Sequence, residues 1–307
     1  MIYNYCTLFD SNYLTRGIAM LESLNRHTQD FHLYILAFDT LAYNILTNIN
    51  HPKTTIISME QFETPDLLQV KQDRTRGEYC WTCTPFIIDY CIQTFNLSHC
   101  TYLDADLYFF DNPNILIDEM QDNSVLLTKH NYTPKYNQEA TSGIYCVQFM
   151  TFKATQKGLE ALQWWKDRCF EWCYARFENG KFGDQKYLDD WTQRFEGVHV
   201  LQNIRGGLAP WNIQQYHDIS PIFYHFHHLK FIDEDKIDLC PYFLPPHTIK
   251  TIYAPYIQHL LQLRMRFYPQ NFDGRTKPHF TWKTPLRWIK RKLLNTYNIY
   301  NLKNFGI

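Results

Sequence analysis

The order of the first forty residues restricts the fold more than any other feature of this chain. Residues 2–9 (IYNYCTLF) form an apolar, aromatic run of the kind that favours a pleated, packed surface, and residues 10–12 (DSN) follow as a polar turn. Residues 13–25 (YLTRGIAMLESLN) then carry helical periodicity, and residues 31–38 (FHLYILAF) form a second apolar run. Strand, helix and strand in that order make a βαβ unit, which joins parallel strands and requires helices over the sheet. Further short runs at 55–58 (TIIS) and 101–110 (TYLDADLYFF), with a helix expected from Thr84 to Phe95 between them, extend the pattern to a doubly wound α/β sheet. In such a sheet, ligands bind where strands end.

The run 101–110 contains a contradiction. Its Tyr, Leu and Phe predict a buried strand, yet Asp104 and Asp106 sit inside it. On an extended segment residues i and i+2 face the same way, so the two carboxylates are held close and call for a positive charge between them. Two other stretches carry matching chemistry, residues 183–185 (GDQ) and 224–230 (YHFHHLK). Carboxylates with an imidazole suit a divalent cation such as Mn²⁺ or Mg²⁺, whose open positions can take the phosphates of a nucleotide and offset charge on a leaving diphosphate.

Beyond the turn signal at 111–113 (DNP), residues 124–128 (SVLLT) and 142–149 (SGIYCVQF) predict strands. A helix from about Ala154 to Phe177 is expected to end at Asn179-Gly180. Gly and Pro make 206–212 (GGLAPWN) a loop, in which an exposed Trp211 indole would stack on donor or acceptor. Residues 74–81 (RTRGEYCW) are a charged lead into the next helix, and offer Arg74 and Arg76 either for diphosphate or sugar contacts or as plain surface residues. Near the end, Arg264, Arg266, 275–277 (RTK) and 282–294 (WKTPLRWIKRKLL) combine basic and aromatic side chains. That is the composition of a helix lying on an anionic membrane surface, and equally of a solvated terminal helix.

A chain of 307 residues fits one large domain or a core with an appended subdomain. With 45% hydrophobic and 20% charged residues it can build a core and is not disordered, and a net charge of -1 supplies no basic field for nucleic acid. Nine cysteines, an odd number, with no apolar leader before them, predict a reduced, cytoplasmic protein. The pairs Cys80/Cys83 and Cys169/Cys173 lie in apolar or helical surroundings that do not suit zinc, and no apolar run is long enough to span a membrane.

Five pieces in this order, 5–12 (YCTLFDSN), 102–106 (YLDAD), 142–144 (SGI), 183–186 (GDQK) and 225–230 (HFHHLK), resemble the GT-A glycosyltransferases of the nucleotide-diphospho-sugar transferase superfamily. They look most like the bacterial relatives of glycosyltransferase family 8, over about residues 1–235. The resemblance implies an α/β GT-A (Rossmann-like) fold, with a mixed, mainly parallel central sheet flanked by helices and a C-terminal helical extension, divided as 1–250 and 251–307. It implies Mn²⁺ (or Mg²⁺) held by Asp104, Asp106 and His225, with Asp104 also approaching the ribose. Thr7, Phe9 and Asp10 would receive the uracil and ribose of a UDP-sugar, Lys230 would steady the diphosphate, and Asp184 and Gln185 would be the catalytic pair near the anomeric carbon. Gln185 has a second reading as the cap of a helix starting near Lys186. The family's H-x-x-G-x-x-K-P-W ending is here HFHHLK, without the glycine and the P-W, which leaves both His225 and His227 open as the ligand.

The implied reaction is retaining hexosyl transfer from a UDP-sugar to a glycan or lipid-linked saccharide in bacterial surface polysaccharide (lipopolysaccharide) biosynthesis, with possible peripheral contact of 282–294 with the inner face of the cytoplasmic membrane. Two other classes share part of this pattern. A haloacid-dehalogenase-like phosphatase also uses D-x-D, its first Asp being a nucleophile, but that motif usually continues into Gly or Thr near the N-terminus, whereas here it continues as LYFF deep in the chain. A non-catalytic sugar-binding module would not need an intact set of metal and phosphate ligands.

Overall fold

The structure, a computed structural model, describes residues 2–267 and 281–306. Arg275 and Lys277 of the basic tail lie outside the described residues. In chain order the strands are β1 (Tyr3–Phe9), β2 (Phe31–Ala37), β3 (Thr54–Ser58), β4 (His99–Leu103), β5 (Leu107–Phe109), β6 (Val125–Lys129) and β7 (Tyr145–Lys153). There follow β8 (Val198–Val200), β9 (Gly206–Leu208), β10 (Phe223–His225), β11 (Lys230–Phe231), β12 (Lys236–Asp238) and β13 (Ile299–Asn301).

Among the described residues the central sheet has seven strands in the order β3-β2-β1-β4-β7-β6-β8. Every neighbouring pair is parallel except those of β7, which runs antiparallel to both β4 and β6. The expected βαβ unit is present, β1 and β2 pairing along their whole length from Tyr3↔Phe31 to Phe9↔Ala37. Alternate residues supply the two faces. Tyr5, Phe9, Leu33 and Ile35 pack with the helix Leu14–His27, whereas Cys6, Leu8, Tyr34 and Leu36 pack in a second cluster with residues of the helix Arg76–Thr94. This two-sided burial makes the sheet doubly wound, the architecture expected from the sequence.

Several boundaries differ from expectation. The helix expected to start at Thr84 begins at Arg76, because Thr75 and Glu78 form a reciprocal capping box that turns the charged lead into the first helical turn. Pro85 lies inside it, where its missing N–H forfeits one helical hydrogen bond. The helix expected over 154–177 is Gln156–Glu171, and Trp172 is already extended. Asn179 and Gly180, both at positive φ, instead turn a hairpin that Glu178 and Lys181 close. β7 starts at Tyr145, since Ser142 ends a short helix and Gly143, at φ 102, turns the chain. Finally, the single strand expected over 101–110 is two, β4 and β5, separated by a turn at Asp104–Asp106.

Beyond residue 250 the chain packs back on the rest. The helix Ala254–Phe267 buries Tyr256, Ile257, Leu260 and Leu263, and its His259 places Nε2 2.8 Å from Glu22 Oε2 and Nδ1 3.1 Å from Tyr108 Oη. β13 joins β12 in a small antiparallel sheet with β11. Before it lies the helix Thr284–Leu293, in which no residue is buried.

Candidate functional site

The site begins where β4 runs out. The Asp104 N–H donates to the Gln148 carbonyl of β7 (3.0 Å) and the Asp104 carbonyl accepts from Leu107 N–H (3.2 Å), so the chain turns before β5. β5 then pairs antiparallel with β10, opposing Leu107 to His225, and the Phe226 N–H donates to the Asp106 carbonyl (3.0 Å). This register carries His225 to the acidic pair, with Nε2 3.1 Å from Asp106 Oδ1 and 3.8 Å from Asp104 Oδ2. The three ligand atoms lie within 4.8 Å of one another. His227 is not in this group. It packs edge-on to Trp211 and against His228, and burial holds its pKa well below the usual imidazole value.

The electrostatics fit a cation. Burial, aided by the charge of Asp106, raises Asp104 to about 6. Burial also works to raise Asp106, but His225 overrides it and holds Asp106 at about 2. For His225, burial disfavours the charged form and the two carboxylates outweigh it, so its pKa lies well above the ordinary value. A fourth group, Asp184, is raised to about 8 by burial and then by Asp104. His225 Nδ1 lies 2.7 Å from Gln148 Oε1, and Nε2 faces the carboxylates. Two carboxylate oxygens and an imidazole nitrogen so directed form a hard, divalent-cation donor set. The other such group among the described residues, the thiols of Cys6, Cys91 and Cys100, lies fully within the core.

Beside this group, at the ends of β1 and β2, Arg76 Nε stands 2.6 Å from Asp10 Oδ2 and its Nη2 2.8 Å from Asp39 Oδ2. Asp39 also accepts from the N–H (3.0 Å) and hydroxyl (2.8 Å) of Ser11. Arg76 is thus committed to two aspartates, while Arg74 donates to the Cys169 and Phe170 carbonyls and closes the end of the helix Gln156–Glu171. Thr7 is buried in β1, its hydroxyl without a partner among the described residues. The Phe9 ring lies against the helix Leu14–His27, where a Cβ on Gly17 would stand 2.3 Å from it, so only the Phe9 backbone is left to meet a nucleotide. Lys230 is exposed at the start of β11.

Trp211 requires a correction. Its indole is 4% exposed, donates to the His130 carbonyl (2.8 Å), and meets the His225 and His227 rings edge-on, both at 5.4 Å. It cannot stack on a sugar; it walls the histidines instead. Gln185 makes no helix-cap hydrogen bond and donates to the Ser142 carbonyl (2.8 Å), while the Asp184 carbonyl accepts from Trp165 Nε1 (2.8 Å).

Sequence reasoning missed Asp39 and Gln148. Asp39 follows β2 and caps the next helix as Asp10 follows β1 and caps the next turn, a repeated signal that was available. Gln148, a polar residue in a strand otherwise apolar from Val147 to Met150, was the other visible anomaly.

No family model matches the sequence. Among solved structures, the galactosyltransferase LgtC in complex with donor and acceptor sugar analogs superposes with a TM-score of 0.54 at 13% identity, over 84% of this chain and 95% of that one. The apo-form glycosyltransferase GlyE of Streptococcus pneumoniae TIGR4 gives 0.54 at 13% identity, over 85% of this chain and 60% of that one. At such identities the likeness establishes the fold. Sequence relatives are nearer: uncharacterized protein YfnD of Bacillus subtilis (strain 168) is 31% identical over 275 residues, 84% of this chain and 88% of its own length. Uncharacterized protein YfnF of the same organism is 30% identical over 253 residues, 76% of this chain and 84% of its own length. The chain belongs to the protein family of YfnD and YfnF.

Proposed function

We propose that the protein is a divalent-metal-dependent glycosyltransferase that moves a hexose from a UDP-sugar to a saccharide acceptor, with retention of anomeric configuration, in bacterial surface polysaccharide synthesis. The observation that carries this reading is the convergence of Asp104, Asp106 and His225 at the carboxyl end of β4 in a GT-A sheet. LgtC, of the same fold, was captured with donor and acceptor sugar analogs.

Asp104, Asp106 and His225 would hold Mn²⁺ or Mg²⁺, which when bound offsets the charge of the diphosphate as it leaves. Asp10, with the Thr7 and Phe9 backbone and the Arg76–Asp39 pair behind it, lies where β1 and β2 end and receives the base and ribose. Lys230, exposed at the start of β11, is free to reach the diphosphate. Asp184, raised to about 8, keeps its proton at neutral pH and donates a hydrogen bond to a sugar hydroxyl; Gln185 stands next to it. With no evident nucleophile among the described side chains, the leaving diphosphate would accept the acceptor's proton. The phosphatase alternative fits poorly, because the D-x-D of that class lies near the N-terminus, whereas Asp104 and Asp106 follow β4, deep in the chain.

The test is a thermal-shift screen of nucleotides and nucleotide sugars with and without Mn²⁺. UDP and one UDP-sugar should raise the melting temperature only with the metal. A UDP shift of equal size without it, or none with any nucleotide, would overturn the reading.

The acceptor is carried by membrane lipid on this account, and the helix Thr284–Leu293 docks on the inner face of the cytoplasmic membrane. Trp282 is 77% and Leu293 79% exposed, with Leu286 and Ile289 also out in solvent among Lys283, Arg287, Lys290 and Lys292. Four basic groups supply at most about 4 kcal/mol at an anionic surface, enough for reversible docking. No described helix is long and apolar enough to cross a membrane. Removing the tail would also remove β13, so the variant to use is Leu286→Glu/Ile289→Glu. It should pellet with anionic vesicles far less than the unaltered chain; equal pelleting would refute docking.

A further inference from the structure

Gln148 is out of place by every local rule. It sits within β7, whose residues Tyr145 to Phe152 are all buried, and is itself fully buried. Its Nε2 has no hydrogen-bond partner among the described residues, so the residue carries an unsatisfied donor that a methionine or leucine of similar volume would not. A buried polar group with an unmet donor needs a reason.

The reason lies at its two acceptors. The backbone oxygen of Gln148 takes the Asp104 N–H at 3.0 Å and its side-chain Oε1 stands 2.7 Å from His225 Nδ1. One residue of β7 therefore touches two of the three members of the Asp104–Asp106–His225 group, which arrive on different strands.

We infer that Gln148 is a positioning residue, which selects the His225 tautomer with the proton on Nδ1 and aims Nε2 at the point between the carboxylates. This rests on the metal reading given above. A neutral imidazole can carry its one proton on either nitrogen, and only an acceptor at Nδ1 leaves the Nε2 lone pair for a cation. An orienting partner of this kind is worth about 10- to 100-fold in metal affinity.

The test measures Mn²⁺ binding from the electron paramagnetic resonance of the free ion, with imidazole ¹⁵N NMR of the Mg²⁺-loaded protein. Wild type should show His225 protonated on Nδ1. Gln148→Met, equal in volume and without an acceptor, should bind Mn²⁺ about 10- to 100-fold more weakly and lose that Nδ1–H signal. Gln148→Glu, which keeps an acceptor, should retain both. A residue that only packs predicts the reverse order, because methionine fits and a buried charge does not. That order, or a wild-type His225 protonated on Nε2 alone, overturns the inference. If Gln148→Met does not fold, the wild-type and Gln148→Glu spectra decide. Failure of the metal reading itself looks different: wild type would bind no Mn²⁺, or Asp106→Asn would bind it equally, and the inference would fall with it.

Discussion

The carboxylate of Asp238 accepts from both terminal nitrogens of Arg291, at 2.6 and 2.7 Å, and this fork ties the terminal helix Thr284–Leu293 to β12. Arg291 Nη2 also donates to the Cys240 carbonyl (2.8 Å). The terminal helix is therefore anchored through Arg291, while its Arg287, Lys290 and Lys292 stay exposed. Arg291 Nε donates to the Thr296 carbonyl (2.9 Å) as well, so Arg291→Ala leaves Asp238 and that carbonyl without these donors and should lower stability by about 2–3 kcal/mol. Arg291→Lys, a point charge that cannot make the fork, should recover only part of that loss. Urea unfolding of the two variants checks both values, and wild-type midpoints would show that the tail is free.

Trp211 should matter through the histidines it walls. Trp211→Phe keeps the ring but loses the donor to the His130 carbonyl, which Asn212 Nδ2 still serves at 2.9 Å, so a cost of about 1 kcal/mol is expected. Trp211→Ala opens the packing around His225 and His227 and should cost about 3–5 kcal/mol. Chemical denaturation measures this, and Mn²⁺ affinity should fall in the alanine variant more than in the phenylalanine one.

Asp184 should make stability fall as pH rises. Its folded pKa, about 8, lies above the unfolded carboxylate value, so its contribution is fully present below about pH 4 and is lost as pH climbs through about 8, where the folded chain must ionise a buried group. Asp184→Asn stays neutral throughout. Compared with wild type in metal-free buffer, the variant should therefore gain between pH 5 and pH 9, by about 1–3 kcal/mol if only part of the shift is realised. A difference that stays constant with pH would show that Asp184 is ionised when folded.

Local signals were legible and long-range ones were not. The β1–helix–β2 unit and the carboxylates at the end of β4 follow from periodicity and turn chemistry over a few residues. The choice of His225 over His227 does not, because it depends on the Leu107↔His225 register between strands far apart in sequence. Trp211 misled for the same reason: a Gly- and Pro-rich segment predicts a surface loop, and nothing in it shows that the His130 carbonyl and two imidazoles will cover the ring. Arg76 was open between a diphosphate or sugar contact and a plain surface residue, and its pairing with Asp10 and Asp39 could not be read from the residues around it. At the C-terminus, composition set the tail apart, yet His259 against Glu22 and β13 against β12 join it to the body.

Gly17 shows how closely the first helix is fitted to the strand that carries Asp10. A methyl group there would stand 2.3 Å from the Phe9 ring, so Gly17→Ala should cost about 1–3 kcal/mol and disturb the chain just before Asp10. Thermal melting gives the first figure, and a weaker thermal shift with UDP and Mn²⁺ the second.

The central claim is that Asp104, Asp106 and His225 bind nucleotide only through a cation, and calorimetric titration of UDP in saturating Mn²⁺ against Mn²⁺-free buffer tests it most directly. Wild type should bind UDP with Mn²⁺ and lose that binding without it, because a diphosphate placed beside two carboxylates needs intervening positive charge. Asp106→Asn, similar in shape but without the charge, should show no UDP heat in either buffer while keeping the wild-type circular dichroism. UDP binding of undiminished affinity by Asp106→Asn, or by wild type without metal, would contradict the claim.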